Sequence, residues 1–223
     1  MFVSTFVKSI RRSVLPLGLL AGVTVAGTAR ASDWELDPAH TTATFAVRHL
    51  MVSTVKGSFE KVNGIVNLDE ANPARSKLEI SIDAASINTR NGQRDGHLKS
   101  PDFFDVAKNP KLEFKATKIE KVRKDKFKVV GDLTMRGVTR PVTLDVEGPT
   151  PPVKDMMGRN VRGVVARGKL NRKDWGLVWN KALEGGGVLV SDEVTLEVNA
   201  EMFEKSAPRA EGEAVPKPKT ATQ

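Results

Sequence analysis

Between Leu78 and Asp83 the chain reads LEISID, so that Leu78, Ile80 and Ile82 alternate with Glu79, Ser81 and Asp83. Successive side chains of an extended chain point to opposite faces, and this segment therefore makes a strand with one oily and one wet face. The same beat returns on either side. Leu112, Phe114 and Ala116 alternate with Glu113, Lys115 and Thr117, and Val142, Leu144 and Val146 alternate with Thr143, Asp145 and Glu147. Val194, Leu196 and Val198 repeat it near the end. Turn chemistry separates the runs at short intervals: Asn63-Gly64, Asn72-Pro73, Asn91-Gly92, Asn109-Pro110, Arg136-Gly137 and Gly185 to Gly187. Many short strands so spaced predict an all-β antiparallel barrel or sandwich. Only Asn91 to Val106 is long enough for a helical turn or two, which predicts a short helical segment near 92–106.

The two ends behave differently from this middle. Lys8, Arg11 and Arg12 precede an uncharged apolar run from Val14 to Thr28, and Ala29-Arg30-Ala31 has the small-x-small form of a cleavage site. Residues 1–31 are therefore expected to be an export signal, removed to leave Ser32 first. The uncharged run is about 15 residues, short of the roughly 20 that cross a bilayer. Arg11-Arg12 leaves Sec and twin-arginine export both open. Residues 205–223 hold three prolines and one large apolar residue, Val215, among small and charged ones; a disordered tail is expected there. The barrel domain then spans 32–204.

Composition excludes several classes. No cysteine is present, so disulfides, thiolate metal sites and lipidation at cysteine are ruled out. The signal carries four basic residues and no acidic one, so the formal charge falls from +8 to +4 on its removal. That modest balance argues for solubility and against a nucleic-acid partner. An outer-membrane barrel is disfavoured by the absence of tyrosine, aromatic content of 5% and an outward face rich in Lys and Glu. His40, His49 and His97 lack any metal-ligand spacing, so no metal and no cofactor are expected. There is no G-x-S-x-G elbow, G-x-G-x-x-G or P-loop. The expectation is a soluble, exported, periplasmic protein with no integral membrane segment in the mature chain and no catalysis of its own.

Three strings sharpen this reading: DWELDPAHTTATFAVRHLMVSTVKGSF (Asp33 to Phe59), RDGHLKSPDFFDV (Arg94 to Val106) and GDLTMRGVTRPVTL (Gly131 to Leu144). Trp34, Leu36, Asp37, Pro38 and His40 match a W-x-L-D-x-x-H opening, and Phe45, Val47, His49 and Leu50 an F-x-V-x-H-L strand. Ser86, Ile87, Thr89, Arg94, Asp95, His97, Leu98, Phe103, Phe104 and Asp105 follow S-I-x-T…R-D-x-H-L…F-F-D. Arg172, Asp174 and Gly176 match R-x-D-x-G, and Ser191, Asp192 and Val194 open the last strand. In this order, over Asp33 to Met202, the chain resembles the YceI-like family of secreted bacterial lipid-binding proteins. Thr41, Arg90 and Trp175 depart from the residues usual there. The resemblance implies an extended antiparallel lipocalin-like barrel of about eight strands. It further implies a polyisoprenoid or similar long-chain amphiphile as ligand: an isoprenoid quinone, a polyprenyl phosphate or a fatty-acid derivative. An apolar tail gains roughly 0.8 kcal/mol per buried CH2, so a dry tunnel binds without catalytic groups. A carrier or store is expected; the alternative is a lipid- or quinone-modifying enzyme using a barrel histidine as general base.

Candidate residues follow from parity and chemistry. His49 shares parity with Phe45 and Val47 and should face the interior with them. There it either meets a ligand head group or is a core histidine bonded to backbone or carboxylate. Arg94 and His97 are the other head-group candidates, with an Arg94–Asp95 ion pair pinning the loop as the plainer reading. Phe45, Val47, Phe59, Leu78, Ile80, Ile82, Phe103, Phe104, Phe114, Leu133, Leu144 and Trp175 are expected to line the tail cavity. Phe103 and Phe104 are adjacent and in extended chain would face opposite ways, one into the core and one over the ligand. Arg136-Gly137 reads as a hairpin turn, and Arg172 and Asp174 as loop pins. A membrane electron-transfer partner and a homodimer are left open.

Overall fold

The computed structural model of the chain describes residues 31–205. All but Ala31 of the expected signal (1–31) and all but Lys205 of the expected tail (205–223) lie outside the described residues. The strands are β1 (Ser32–Leu36), β2 (Thr42–His49), β3 (Ser53–Phe59), β4 (Val62–Leu68), β5 (Lys77–Asp83), β6 (Ile87–Asn88), β7 (Lys111–Arg123), β8 (Lys126–Met135), β9 (Val138–Glu147), β10 (Val153–Lys154), β11 (Asn160–Asn171) and β12 (Val190–Glu204). One α-helix, α1 (Gly92–Lys99), stands between β6 and β7. It occupies the first half of the expected helical segment, and turns fill the rest. Eight strands close an antiparallel barrel in the order β1-β4-β5-β7-β8-β9-β11-β12, with the β12–β1 ladder completing the ring.

The remaining strands are explained by β12, which is long enough to carry two partners in succession on one edge. It pairs with β2 from Val190 to Asn199 and with β1 from Met202 to Glu204. Both run antiparallel to it, so β1 and β2 are two halves of one long strand, interrupted between Leu36 and Thr42. The interruption is stitched to β12 where Asp37 N–H donates to the Glu201 carbonyl at 2.8 Å. Likewise β3 and β4 are broken only at Glu60 and Lys61, and β5 and β6 at a 3₁₀ turn, Ala84–Ser86. Asp83 caps that turn by accepting from Ala85 N–H. The sheet forks along this line of breaks. The β1-β4-β5 branch continues through β7, β8 and β9 around the barrel; the β2-β3-β6 branch ends at β6, where α1 and the loop after it take over the wall.

Asn63-Gly64 does not turn the chain. It lies inside β4, paired with Ser81 and Ile80 of β5. A Cβ at Gly64 would lie 2.9 Å from Leu36 Cδ1, so the glycine is there to make room for side chains crossing the inner wall. The other dipeptides do sit at reversals or element starts, and Arg136-Gly137 is a two-residue hairpin with φ of 50° and 72°.

The alternation sorts the faces as its chemistry requires. Outward positions carry cross-strand ion pairs such as Lys115–Glu79 at 2.9 Å, Lys128–Asp145 at 2.8 Å and Lys169–Glu193 at 2.9 Å. Inward positions are apolar but do not fill the bore. Gly57, opposite Phe45, would place a Cβ 2.7 Å from the Phe45 ring; Gly131 would do the same to Phe114. Where the neighbouring strand has no side chain, a ring lies flat against the wall instead of standing into the lumen. The interior stays open for that reason.

A two-chamber tunnel

Two chambers lie end to end inside the barrel, an upper one of about 560 Å³ and a lower one of about 420 Å³. Ile82, Leu133, Leu196 and Val198 line both and form their common waist. Each volume falls in the range of small-molecule sites.

Of the expected tail residues, Phe45, Val47, Phe59, Phe103 and Phe104 line the upper chamber, Leu78, Ile80, Phe114 and Leu144 the lower, and Ile82 and Leu133 the waist. Trp175 is on neither wall. It ends a 3₁₀ turn, Arg172–Trp175, and packs 2% exposed in the core with its indole N–H donating to the Leu133 carbonyl at 3.0 Å. The bulk it adds supports the waist from behind and does not shorten the bore. Phe103 and Phe104 both face the upper chamber, contrary to the opposite-face expectation. Their segment is a turn, fixed by Phe103 N–H to the Ser100 carbonyl and Phe104 N–H to the Leu98 carbonyl, and the parity of an extended chain does not apply. Phe104 packs edge-on against Phe59 at 5.6 Å, which joins the α1 loop to β3.

The three head-group candidates, His49, Arg94 and His97, all line the upper chamber. Asn91 caps α1 by accepting from Arg94 N–H at 3.0 Å, which aims the helix across the gap left by β6. The expected Arg94–Asp95 pair is not a direct one. Both side chains converge on buried Thr89: Asp95 Oδ1 accepts from its N–H at 2.9 Å and its hydroxyl at 2.5 Å. Arg94 donates to that hydroxyl at 2.7 Å and to the Thr89 carbonyl at 2.8 Å. The reason is geometric: Thr89 ends the β6 ladder, and its backbone groups need partners that a following strand would have supplied. His97 Nε2 lies 2.9 Å from Asp102 Oδ2, with its ring edge-on to Phe103 at 5.0 Å and Trp179 at 4.8 Å. His49 has no side-chain hydrogen bond among the described residues, so the bonded core histidine is not what is found.

Arg172 pins its loop more thoroughly than its motif implied. Its guanidinium, 4% exposed, donates to the carbonyls of Leu177, Trp179 at 2.9 Å and Ser191 at 3.0 Å, and lies 3.1 Å from Asp192. Burial depresses its pKa and Asp192 opposes that. Asp174 holds little beyond its carbonyl, which accepts from Arg140 at 3.4 Å.

Among the wall residues that escaped the sequence reading, one is an arginine. Arg162 lines the lower chamber, its side chain 11% exposed, stacked over Trp34 at 5.0 Å and paired with Glu70. Its Nε is buried without a partner. The signal was parity: Arg162 shares its face of β11 with Val164 and Ala166, both of which line the same chamber. On the outer side, His40 lies 3.1 Å from Asp37 and 3.8 Å from Glu201, at the break between β1 and β2. No helix among the described residues is long and apolar enough to cross a membrane.

Comparison with known proteins agrees with this architecture. A YceI-like domain model matches residues 34–202. A UPF0312 protein of Staphylococcus aureus (strain N315) is 39% identical over 170 residues, covering 76% of this chain and 96% of its own. The crystal structure of the Campylobacter jejuni YceI protein superposes with a TM-score of 0.61 at 34% identity, covering 71% of this chain and 90% of that one. A polyisoprenoid-binding domain from Saccharophagus degradans, implicated in plant cell wall breakdown, shares the fold with a TM-score of 0.54 at 14% identity, covering 77% and 98%. The chain belongs to the YceI-like family.

Proposed function

We propose that this protein binds a polyisoprenoid or similar long-chain amphiphile in the two chambers and serves as an exported, periplasmic carrier or store without catalysis of its own. One observation carries the reading: two apolar chambers meet at a shared waist, a shape suited to a chain and not to a compact ligand. Polar groups line both chambers; at the upper end His49, Arg94 and His97 would meet a quinone oxygen or a phosphate while the tail passes the waist. Each CH2 buried contributes roughly 0.8 kcal/mol, so filling both chambers gives tight binding with few polar contacts. The fold shared with a polyisoprenoid-binding domain supports the ligand class.

Native mass spectrometry of protein taken from a bacterial periplasm, followed by extraction and mass analysis of the bound lipid, tests this. A hydrophobic adduct is expected; protein that remains uniformly empty, also after incubation with isoprenoid quinone and polyprenyl phosphate, defeats it. A second reading, an enzyme acting on lipid or quinone, has one feature in its favour: the His97–Asp102 pair is the arrangement that orients a general base. If His97→Ala abolished a turnover while ligand affinity persisted, that reading would replace the first.

A further inference from the structure

Beside the upper chamber, the β2–β3 hairpin carries an arrangement that neither folding nor ligand enclosure explains. Its turn residues Leu50 and Met51 have φ of 51° and 60°, and Val52 N–H closes the turn on the His49 carbonyl at 3.1 Å. Two consecutive left-handed positions are the place for Asn-Gly, because a Cβ and a long side chain are strained there. Here they hold two of the larger apolar side chains instead. Those side chains are not buried in exchange: Leu50, Met51 and Val52 are 39%, 52% and 76% exposed. The turn therefore costs stability twice, in backbone strain and in oily surface left in water, and such strain collects where function requires it.

Its position gives the function. Leu50 N–H donates to the Leu189 carbonyl at 2.8 Å, and Leu189, Val190 and His49 all line the upper chamber. Val178, 62% exposed, precedes Trp179, which lines the same chamber, in the segment that Asn180 ties to Val190. The oily surface thus runs from the outside of the protein to the chamber wall. Cations stand at its edge: Arg48 is anchored on the turn through the Met51 carbonyl at 2.8 Å, and exposed Lys181 accepts at its carbonyl from Leu189 N–H at 2.9 Å, with Glu184 the carboxylate in the turn between Ala182 and Val188. An apolar tip with flanking cations fits the interface of an anionic phospholipid bilayer.

We propose that the Leu50-Met51-Val52 tip docks the mouth of the upper chamber onto the surface of an anionic bilayer, so that the ligand passes between membrane and tunnel without crossing water. This rests on the ligand assignment above and adds the partner to it. The test compares the whole protein with a Leu50→Asn/Met51→Gly/Val52→Ser variant. Sedimentation with vesicles of equal phosphatidylcholine and phosphatidylglycerol reads docking, and quenching of Trp179, which lines the upper chamber, by a detergent-solubilised eight-isoprene quinone reads ligand binding. The variant is expected to partition about tenfold or more weakly onto the vesicles, to keep its quinone affinity, and to melt no lower than the wild type, because Asn-Gly suits the turn. Equal partitioning of the two proteins, or no partitioning of the wild type, overturns docking. If neither protein is quenched by the quinone, or by polyprenyl phosphate in its place, the ligand assignment falls instead, and sedimentation still decides docking.

Discussion

The two chambers are bounded in different ways. The lower one is enclosed by continuous ladders, from β4 and β5 through β7, β8 and β9 to β11 and β12, and its wall is largely aliphatic, with Phe114, Phe127, Arg162 and a few other polar and charged residues among its lining. The upper one is lined by strands of both branches but is not closed by sheet alone. Where β6 stops, α1 and the loop to β7 complete the wall, and with them come Arg94, His97, Phe103 and Phe104, while His49 joins them from β2 and Arg172 from the turn after β11. The difference shows what a broken ladder demands. Backbone groups that lose their strand partner must find side chains, so Asp95 and Arg94 are committed to Thr89, and Arg172 to three carbonyls. The polar residues of the upper end are there first because the fold needs them. Those with spare capacity, His49 and His97 above all, are the ones a ligand can use.

The strongest test of that distinction is Arg172→Ala. It leaves carbonyls of Leu177, Trp179 and Ser191 buried and unpartnered, while Asp192 keeps Lys173 at 2.8 Å. A loss of about 3–5 kcal/mol is expected, which is a fall of roughly 10 °C in Tm for a domain of this size. Calorimetry reads it directly. Arg172→Lys should recover little, because an ammonium on a flexible stem cannot fork to three acceptors. A variant that melts near wild type would mean that the upper wall does not depend on side-chain replacement of the ladder.

Next in size is the waist. Val198 lines both chambers, and Val198→Trp would place a ring between them. Excluding even four CH2 groups from the lower chamber removes about 3 kcal/mol, or roughly a hundredfold in affinity, for a long-chain ligand. A ligand short enough to stop at the waist should bind as before. Titrating a series of isoprenoid quinones of increasing tail length would show affinity that rises with length in the wild type and levels off in the variant; parallel curves would sever the two chambers functionally.

A finer pair of substitutions addresses each chamber alone. A Cβ at Gly57 meets only side chains, the Phe45 ring and Thr89 Cγ2 at 2.8 Å, so Gly57→Ala should tip Phe45 into the upper chamber. At Gly168 the Cβ meets Leu144 Cδ2 at 2.7 Å, and Gly168→Ala should tip Leu144 into the lower one. Each is expected to cost about 1–3 kcal/mol in stability from overpacking. The first should weaken quinones of every tail length several-fold; the second should spare short tails and penalise long ones. The same quinone series separates them.

These residues also show what the chain discloses about itself. Leu78, Ile80 and Ile82, or Leu112 and Phe114, declare both strand and inward face, because two-residue periodicity is a direct image of the pleat. Arg136-Gly137 declares a hairpin for equally local reasons. The fork is invisible at that range. Asp37 to Thr41 looks like a reversal, yet the chain resumes in the same direction, and only the partner strand β12 shows it. Asn63-Gly64 misleads for a related reason: a glycine can serve a turn or clear space for Leu36 across the wall, and composition cannot tell which. Phe103 and Phe104 fail because parity holds only for extended chain. Leu50-Met51 hides in the opposite way, since nothing in the turn rules expects large apolar residues at two left-handed positions. Arg162, by contrast, was legible from its parity with Val164 and Ala166.

The smallest expected effect concerns the fork itself. The hydrogen bond with His40, ahead of that from Ala39 N–H, holds the Asp37 carboxyl below its usual 3.8, and the same bond, with the charges of Asp37 and Glu201, raises His40 above its usual 6.5. The two shifts act at opposite ends of the pH scale. A raised imidazole stabilises the fold fully below the unfolded value and loses that contribution as pH climbs through the folded one; a lowered carboxyl contributes above 3.8 and loses it as pH falls through the folded value. The pair therefore acts between the two, and the Tm difference between wild type and His40→Gln should be greatest near about pH 5 and fade above neutrality. Because His40 is exposed at the outer surface, the difference should be small and screened by salt. A Tm difference that does not vary with pH would show that the pair is idle and that the backbone bond from Asp37 to Glu201 alone holds the junction. A variant that altered tail-length preference would instead show that this outer clamp governs the waist, and the two chambers would then be coupled through the fork.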